Sequence, residues 1–259
     1  MILAGRHPVL EALRAGTRPI DEVLLEGEAE GRHRDIWALA RQAGVRCARV
    51  PRAALTALAG TSHHQGVVAR VAARAYDSLE TLLAIPASRA EPALFLALDQ
   101  VQDSGNVGNL LRTGDALGVH GVILLRNQAA GLTSGALRSA AGALEHLAVA
   151  RVGNLAQTLD VFKRAGLWVV GAVSRGEAAQ PPWALDLRRP LALVVGGEAR
   201  GLRPLVARSC DALTTVPQAG QVASLNVAGA GAALLYEVRR QRALPGRPTG
   251  AIDSGGVGA

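Results

Sequence analysis

A polar loop between an apolar run and a helical pattern carries the first residues that could do chemistry. Segment 99–113 reads DQVQDSGNVGNLLRT and follows the continuous apolar run 93–98, which is typical of a buried parallel strand. Asn106 stands where a helix N-cap is expected, and Arg112 lies further along a helix predicted over 107–117. Ligands of open α/β sheets gather at the carboxyl ends of strands, so this loop is a candidate site. The alternative is a helix cap with a surface arginine.

A second candidate loop, 194–202, reads VVGGEARGL and again follows an apolar run. Its glycines, Gly196, Gly197 and Gly201, allow the main chain to come close to a ligand, and Glu198 supplies a carboxylate. The loop has neither the G-x-G-x-x-G spacing nor the lysine of a P-loop, so neither nucleotide fingerprint applies. A tight turn between a strand and a helix is an equally good interpretation.

The third segment, 216–237, passes from a short strand through Pro217 and a glycine turn into a helix predicted over 222–240. Ser224 and Asn226 fall in the first turn of that helix. Because the amides at a helix N-terminus attract anionic or polar groups, these two side chains could help to bind a ligand.

Two glycines follow in the same helix, Gly229 and Gly231. Each costs about 1 kcal/mol of helix propensity against alanine, so we expect something to press close against them. That neighbour could be the core or a second copy of the chain. Neither possibility accounts for Ser224 and Asn226.

Together the three segments resemble the motifs of the SpoU (TrmH-type) branch of the SPOUT methyltransferases, in the same order and spacing. Gln218 and Val216 stand where the family usually has methionine and isoleucine, and no polar motif residue is lost. The matching residues are Asn106, Gly108, Arg112 and Thr113 in the first motif, Gly196, Glu198 and Gly201 in the second, and Val216, Pro217, Ser224, Leu225 and Asn226 in the third.

Three further stretches, 5–13, 63–69 and 140–146, resemble the RlmB subgroup of that family. This subgroup methylates a guanosine ribose in 23S rRNA, so the resemblance implies an RNA 2′-O-methyltransferase with that class of substrate. Two alternatives remain open: the same chemistry on tRNA or another rRNA site, and a non-catalytic RNA-binding ribosome-assembly protein on the same scaffold. The intact polar motif residues argue against the second.

The alternation of short strands and helices predicts an α/β fold. The resemblance implies a smaller N-terminal L30e-like α/β domain that binds RNA, followed by a C-terminal trefoil-knotted (SPOUT), Rossmann-like methyltransferase domain. It also implies a homodimer packed through the knot. The expected division is 1–74 for the first domain, 75–91 for a linker, 92–243 for the second domain and 244–259 for a disordered, glycine-rich tail.

The resemblance also implies S-adenosyl-L-methionine as cofactor and assigns roles. Arg112 would contact RNA near the reacting hydroxyl, and we expect it to fix a phosphate and stabilise an alkoxide, since arginine rarely loses its proton. The residues expected to bind the cofactor are Gly196, Gly197, Gly201, Val216, Pro217 and Leu225. Those expected in the catalytic pocket are Arg112, Asn106, Glu198, Ser224 and Asn226.

Charge and composition agree with an RNA partner. The 259 residues carry a formal net charge of +7, and of the 28 basic residues only Lys163 is a lysine, so paired guanidinium donors for phosphate are abundant. An unspecialised basic surface is the alternative. Two distant cysteines, no signal-peptide pattern and no apolar stretch of membrane-spanning length predict a cytoplasmic protein without a membrane partner. The scattered histidines, including His7 and His63, predict no metal site.

Overall fold

The computed structural model describes residues 1–27, 31–176, 178–221 and 224–243. The predicted disordered tail, 244–259, lies outside these residues. The described strands form two sheets, one of four strands and one of seven. Within the described part of the chain, no helix combines the length and the hydropathy that crossing a membrane requires.

The N-terminal sheet has the strand order β1-β4-β2-β3, with β2 and β3 parallel and the other neighbours antiparallel. Side chains alternate across β4, so that Val67 and Ala69 point to one hydrophobic cluster and Val68 points to another. The elements are β1 (Ile2–Ala4), α1 (Arg6–Ala15), β2 (Ile20–Glu26), α2 (Arg34–Gln42), β3 (Arg46–Val50), α3 (Arg52–Ala59) and β4 (Val67–Val71).

The second sheet is parallel throughout and has the order β7-β6-β5-β10-β8-β11-β9. β5 and β10 are neighbours, and their last residues, Asp99 and Gly196, are in register. The carboxyl ends of the two strands therefore lie side by side. The strands are β5 (Leu94–Asp99), β6 (Gly121–Leu125), β7 (Ala148–Val152), β8 (Trp168–Ala172), β9 (Ala179–Gln180), β10 (Leu191–Gly196) and β11 (Ala212–Thr214).

Helices cover both faces of this sheet, which explains why residues 94–98 of β5 are all apolar. Leu94, Leu96 and Leu98 join the cluster under α5, α6 and α9, whereas Phe95 and Ala97 join the cluster under α4, α7 and α8. The helices are α4 (Leu79–Arg89), α5 (Ser104–Ala116), α6 (Ser134–Ala140), α7 (Leu155–Arg164), α8 (Pro204–Arg208) and α9 (Val227–Ala243), with 3₁₀ turns at Ala143–Glu145 and Pro182–Ala184.

Two predicted helix starts are wrong. Helix α5 begins at Ser104, and its N-cap is Asp103, whose Oδ1 accepts the backbone N–H of Asn106 at 2.7 Å. Asn106 is therefore in the first helical turn and not the cap, because an acidic residue three positions earlier caps the helix first. The closing helix begins at Val227 rather than 222; residues 222–223 lie outside the described residues.

The segment expected to link the domains, 75–91, contains α4 and packs on the second sheet. The backbone N–H of Asp77 donates to the carbonyl of Val149 at 2.8 Å. Leu82 is fully buried, and a Cβ placed on Gly121 would lie only 2.7 Å from it. The contacts leave little freedom between this segment and the sheet.

Helices α5 and α6 touch backbone to backbone at Gly108. A Cβ at this position would lie 2.4 Å from the carbonyl oxygen of Ala136 and 2.5 Å from Cβ of Ser139. Both atoms belong to the rigid part of α6, so the position tolerates only glycine at the observed helix spacing.

Replacing Gly108 by alanine should therefore lower the free energy of unfolding by about 1–3 kcal/mol, the usual cost of overpacking. Gly114 of the same helix is the matched control, because a Cβ there would meet Val119 at an ordinary 3.5 Å. Gly114→Ala should leave stability unchanged or raise it by up to about 1 kcal/mol through helix propensity. Urea unfolding followed by circular dichroism measures both variants; equal effects would contradict this packing.

Candidate active site

The three polar segments of the sequence meet at one edge of the parallel sheet. The loops that follow β5 and β10 leave the sheet side by side, since these strands are neighbours and end in register at Asp99 and Gly196. The start of α9 joins them there through Asn226. The carboxyl ends of parallel strands are where open α/β sheets bind ligands.

A relay of side-chain hydrogen bonds connects the three segments. Asn106 Nδ2 donates to Glu198 Oε1 at 2.8 Å, and Asn226 Nδ2 donates to Asn106 Oδ1 at 3.1 Å. Asn226 Oδ1 in turn accepts the backbone N–H of Ala228 at 2.8 Å, which caps α9. We call Glu198, Asn106 and Asn226 the amide relay.

The direction of the relay follows from the helix. A backbone N–H can only donate, so the oxygen of Asn226 must face Ala228 and its NH₂ group must face Asn106. The amide of Asn106 is then fixed with its oxygen toward Asn226 and its NH₂ group toward Glu198. Every bond donates toward the carboxylate, so the relay holds Glu198 as an acceptor at the edge of the sheet.

The glycines of the second loop are required by contacts within the chain. A Cβ on Gly196 would lie 2.1 Å from the carbonyl carbon of Gly201, and one on Gly197 would lie 2.3 Å from the carbonyl oxygen of Gln100. The backbone N–H of Gly201 also donates to the carbonyl of Gly197 at 2.9 Å. Gly201 itself has φ +63° and open space where a Cβ would stand. Contacts within the chain thus account for Gly196 and Gly197, and the positive φ accounts for Gly201.

An ion pair with a buried carboxylate fixes the far end of the same loop. Asp99 is fully buried; its Oδ2 accepts a hydrogen bond from the backbone N–H of Arg203 at 2.8 Å, and its Oδ1 accepts one from Nε of Arg203 at 2.7 Å. Removing the half-exposed guanidinium would leave the buried carboxylate without compensation. Asp99 therefore anchors the loop that carries Glu198 against the end of β5.

Beside the relay lies a cavity of about 480 Å³. Of the predicted cofactor residues, Gly196, Gly197, Gly201, Val216 and Leu225 line it, and Pro217 does not. Of the predicted catalytic residues, Glu198 and Ser224 line it. Its size falls within the roughly 300–1,000 Å³ of small-molecule sites.

Arg112 lies apart from this cavity. It is exposed on α5, six residues after Asn106, which places it about 9 Å further along the helix axis. Among the residues that the structure describes, no acidic side chain forms a salt bridge with it. The guanidinium is free to meet a phosphate or another anionic group above α5.

Several cavity residues were not singled out from the sequence. They come from the ends of β8 and β11, which have no glycine-rich or polar motif to mark them. In the sheet, β8 is the neighbour of β10, and β11 is the next strand beyond β8. The strand order would therefore have identified these residues. These residues are Ala172, Val173, Ser174, Arg175, Thr214 and Thr215, together with Ala199 and Arg200 of the glycine loop.

The nearby thiol and the histidines have local roles. Burial raises the pKa of Cys210 to about 12, so its thiol stays protonated at neutral pH and is a poor nucleophile. His64 is fully buried; its Nδ1 accepts the backbone N–H of Gly66 and its Nε2 bonds the hydroxyl of Thr56. His7 and His63 are exposed. The described residues contain no group of three or more side chains placed to hold a metal ion.

Family models match both parts of the chain. Residues 93–236 match the SpoU rRNA Methylase family, and residues 2–77 match the model described as RNA 2′-O ribose methyltransferase substrate binding. The first match contains the amide relay, the cavity and Arg112.

Relatives match over nearly the whole length. YacO of Bacillus subtilis is 39% identical to this chain, and the match covers 92% of this chain and 94% of the length of YacO. Its name describes it as a putative TrmH family tRNA/rRNA methyltransferase. RlmB of Ralstonia nicotianae, a 23S rRNA (guanosine-2′-O-)-methyltransferase by name, is 38% identical over 94% of this chain and 96% of its own.

Solved structures are similar in fold over both sheets. The SpoU methyltransferase AviRb from Streptomyces viridochromogenes, in complex with the cofactor AdoMet, is 30% identical with a TM-score of 0.76 and covers 93% of this chain and 90% of that one. An AdoMet-bound rRNA methyltransferase from Sinorhizobium meliloti is 27% identical, with a TM-score of 0.74. The match covers 92% of this chain and 86% of that one.

The direction of the amide relay can be tested by reversing it. In Asn226→Asp the carboxylate still caps α9 but cannot donate to Asn106, so either Asn106 or Glu198 loses a hydrogen bond, at a cost of about 0.5–1.5 kcal/mol. Glu198→Gln alone should cost less, because the new amide can still accept. In the double variant Asn106 can turn over and both of its bonds can form again.

We therefore expect Glu198→Gln to recover most of the stability that Asn226→Asp loses. A double-mutant cycle by urea unfolding measures this coupling. Strictly additive effects would show that the three side chains do not act as a relay.

Proposed function

The chain belongs to the SpoU rRNA methylase family and is an S-adenosylmethionine-dependent RNA 2′-O-methyltransferase, and on this basis we propose that it methylates a guanosine ribose of 23S rRNA. The support for this substrate is that RlmB relatives from several bacteria align with both domains, at about the same identity. The observation that carries the activity is the amide relay next to a cavity of about 480 Å³ at the carboxyl edge of the sheet.

The cavity fits a cofactor of nucleoside size. Its lining mixes apolar side chains such as Val195 and Leu234 with hydroxyl groups and main-chain glycines, which suits a ligand with one apolar ring and several polar groups. We infer that Gly196, Val216 and Leu225 hold it mainly through backbone groups. When bound, S-adenosylmethionine supplies an electrophilic methyl group on a sulfonium.

The ribose hydroxyl is a weak nucleophile until its developing negative charge is stabilised. We assign this stabilisation to Arg112, whose guanidinium stays protonated and offers five donors on the exposed side of α5. An RNA phosphate beside the reacting ribose is a second anionic group that Arg112 can fix, which would hold the oxygen in line for transfer. Both roles use the same permanent positive charge.

The amide relay supplies the other side of the pocket. It presents Glu198 as an acceptor, so Glu198 can take a hydrogen bond from a hydroxyl or an ammonium group of a ligand. Ser224 lines the same cavity and can donate to the ligand or accept from it. Asn106 and Asn226 then act chiefly by holding Glu198 and the start of α9 in place.

The two sheets suggest a division of labour. We infer that 1–74 forms an L30e-like RNA-binding domain, that 75–91 connects it, and that 92–243 is the methyltransferase domain. Exposed arginines and His7 on the first domain suit an RNA backbone. With ribosomal RNA as substrate, the protein acts in the cytoplasm.

We also infer that the C-terminal segment forms a trefoil knot, which is rare among protein folds. Two contacts support a close crossing. The loop after β10 passes over the end of β5, where a Cβ on Gly197 would lie 2.3 Å from Gln100. The chain then runs from β11, beyond β8, back to α5, where Asn226 bonds Asn106.

A homodimer through α9 accounts for a stripe of exposed residues on that helix. Gly229, Ala233 and Tyr236 are exposed at helical spacing, and Tyr236 is 63% exposed. Gly231 packs against Leu110, as expected for a tight helix contact, but Gly229 has open space around it. A second copy of the chain would bring a backbone close to Gly229.

The substrate could also be a tRNA, because the name of the Bacillus subtilis relative includes both RNA classes. In vitro methylation of 23S rRNA and of bulk tRNA, side by side, distinguishes the two. We expect methyl transfer to rRNA. Transfer to tRNA alone would contradict the proposed substrate but not the 2′-O-methyltransferase activity.

Arg112→Ala should reduce methyl transfer to RNA by at least a hundredfold, because the stabilising charge is lost, while the Kd for S-adenosylmethionine stays within about threefold. The matched control is Arg164→Ala, an exposed arginine of α7 on the opposite face of the sheet. Calorimetry gives the Kd and radiolabelled methyl transfer gives the rate. Near-normal turnover by Arg112→Ala would refute the role assigned to this residue.

Tyr236→Glu should convert the dimer into monomers, because a carboxylate would be buried in the α9 interface without a partner. Trp183→Glu is the control, since Trp183 is 62% exposed but lies outside α9. Light scattering after size-exclusion chromatography reads the mass of both variants. A Tyr236→Glu variant that remains dimeric would place the interface elsewhere.

A further inference from the structure

Two sequence stretches outside the cofactor cavity meet at the junction between the two sheets. They are 5–13, which runs into α1, and 140–146, which follows α6. Gly142 has φ +99°, and a Cβ placed on it would lie 2.7 Å from Cβ of Glu11. Only glycine therefore fits at position 142, where the second stretch packs against α1.

A buried ion pair lies at the centre of this junction. Arg18 Nη2 donates to Glu145 Oε1, and Thr17 Oγ1 donates to Glu145 Oε2 at 3.0 Å. The side chains of Arg18 and Glu145 are only 5% and 1% exposed. Both carboxylate oxygens are therefore held by the N-terminal domain. Separating the domains would deprive the carboxylate and the guanidinium of their ionic partners or expose both to solvent.

A second contact closes the rim of the junction. The ring Nε2 of His146 lies 3.0 Å from Glu11 Oε2, and Arg14 donates to Glu11 Oε1 at 2.9 Å. These two hydrogen bonds, the first above all, lower the pKa of the Glu11 carboxyl.

The junction is coupled rigidly to the helix that carries Asn106 and Arg112. Helix α6, which leads directly into 140–146, touches α5 backbone to backbone at Gly108. Gly108 lies between Asn106 and Arg112 in the sequence. A shift of the N-terminal domain would therefore have to break the Glu145 contacts or displace α6 from α5.

We propose that Glu145 is a positioning residue for RNA: it fixes the N-terminal domain relative to α5 and so determines which ribose of a bound RNA reaches Arg112. This inference rests on the proposed RNA-binding role of the N-terminal domain. Glu145 touches neither the cavity nor the relay. Its influence on the reaction is therefore indirect and passes through the placement of the N-terminal domain and α5.

The test uses the full-length protein and compares Glu145→Ala, Arg18→Ala and the double variant. Substrates are a 23S rRNA transcript and bulk tRNA, and the readouts are kcat, KM for RNA, the Kd for S-adenosylmethionine and the map of 2′-O-methylated riboses. Each single variant should lower kcat/KM for RNA at least tenfold and reduce the share of methyl groups at the wild-type ribose. The Kd should stay within twofold.

The double variant should be no worse than the worse single variant, because the two side chains act as one unit. Glu22→Ala is the control, since it breaks the Arg70–Glu22 pair within the N-terminal sheet and should leave kcat/KM within twofold. If Glu145→Ala does not fold, Thr17→Val removes only one hydrogen bond to Glu145 and should lower kcat/KM two- to fivefold.

Folded single variants that methylate the wild-type ribose with unchanged kcat/KM would overturn the proposal, as would an unchanged Thr17→Val if Glu145→Ala does not fold. Failure of the proposed function gives a different result: the wild type itself would not methylate 23S rRNA. In that case the same variants are compared on whichever RNA the wild type does methylate.

Discussion

The amide relay ties together segments that lie far apart in the chain. Asn106 bonds Glu198 across 92 residues and Asn226 across 120. The N–H of Ala228 sets the direction of every bond in it, so a helix terminus ultimately orients a carboxylate at the edge of the sheet. Two of the three segments also line the cavity beside it, through Glu198 and Ser224. If the relay were broken, the loop after β10 and the start of α9 would no longer be held together through Asn106.

Backbone-to-backbone contacts make this arrangement possible. At three glycines, an added Cβ would lie less than 2.5 Å from a backbone atom of another residue. These glycines are Gly108, Gly196 and Gly197. Such contacts leave no room for adjustment, because main-chain atoms cannot swing aside as side chains do. At Gly142, where the N-terminal domain meets the helix layer, the close atom is instead Cβ of Glu11, at 2.7 Å, which is fixed directly to the main chain of α1. Close contacts thus run from the N-terminal sheet region through α6 to α5, which carries Asn106.

The sequence predicted much of this, and the failures have physical causes. The parallel strands and the three polar loops follow from apolar runs and motif spacing, and the family was identified correctly from them. The start of α5 was wrong because Asp103 and Asn106 are both good caps, and only the geometry selects the first. Cavity residues from β8 and β11, such as Thr215, were missed because strand order is a tertiary property. The ion pair of Glu145 could not be predicted for the same reason: its partner Arg18 is 127 residues away.

We propose that this site methylates one guanosine ribose of 23S rRNA. A map of 2′-O-methyl groups in all RNA from cells with and without the gene tests this substrate. One guanosine of 23S rRNA should lose its methyl group when the gene is removed and regain it when the gene is restored. An unchanged 23S rRNA map, or a loss confined to tRNA, would contradict it.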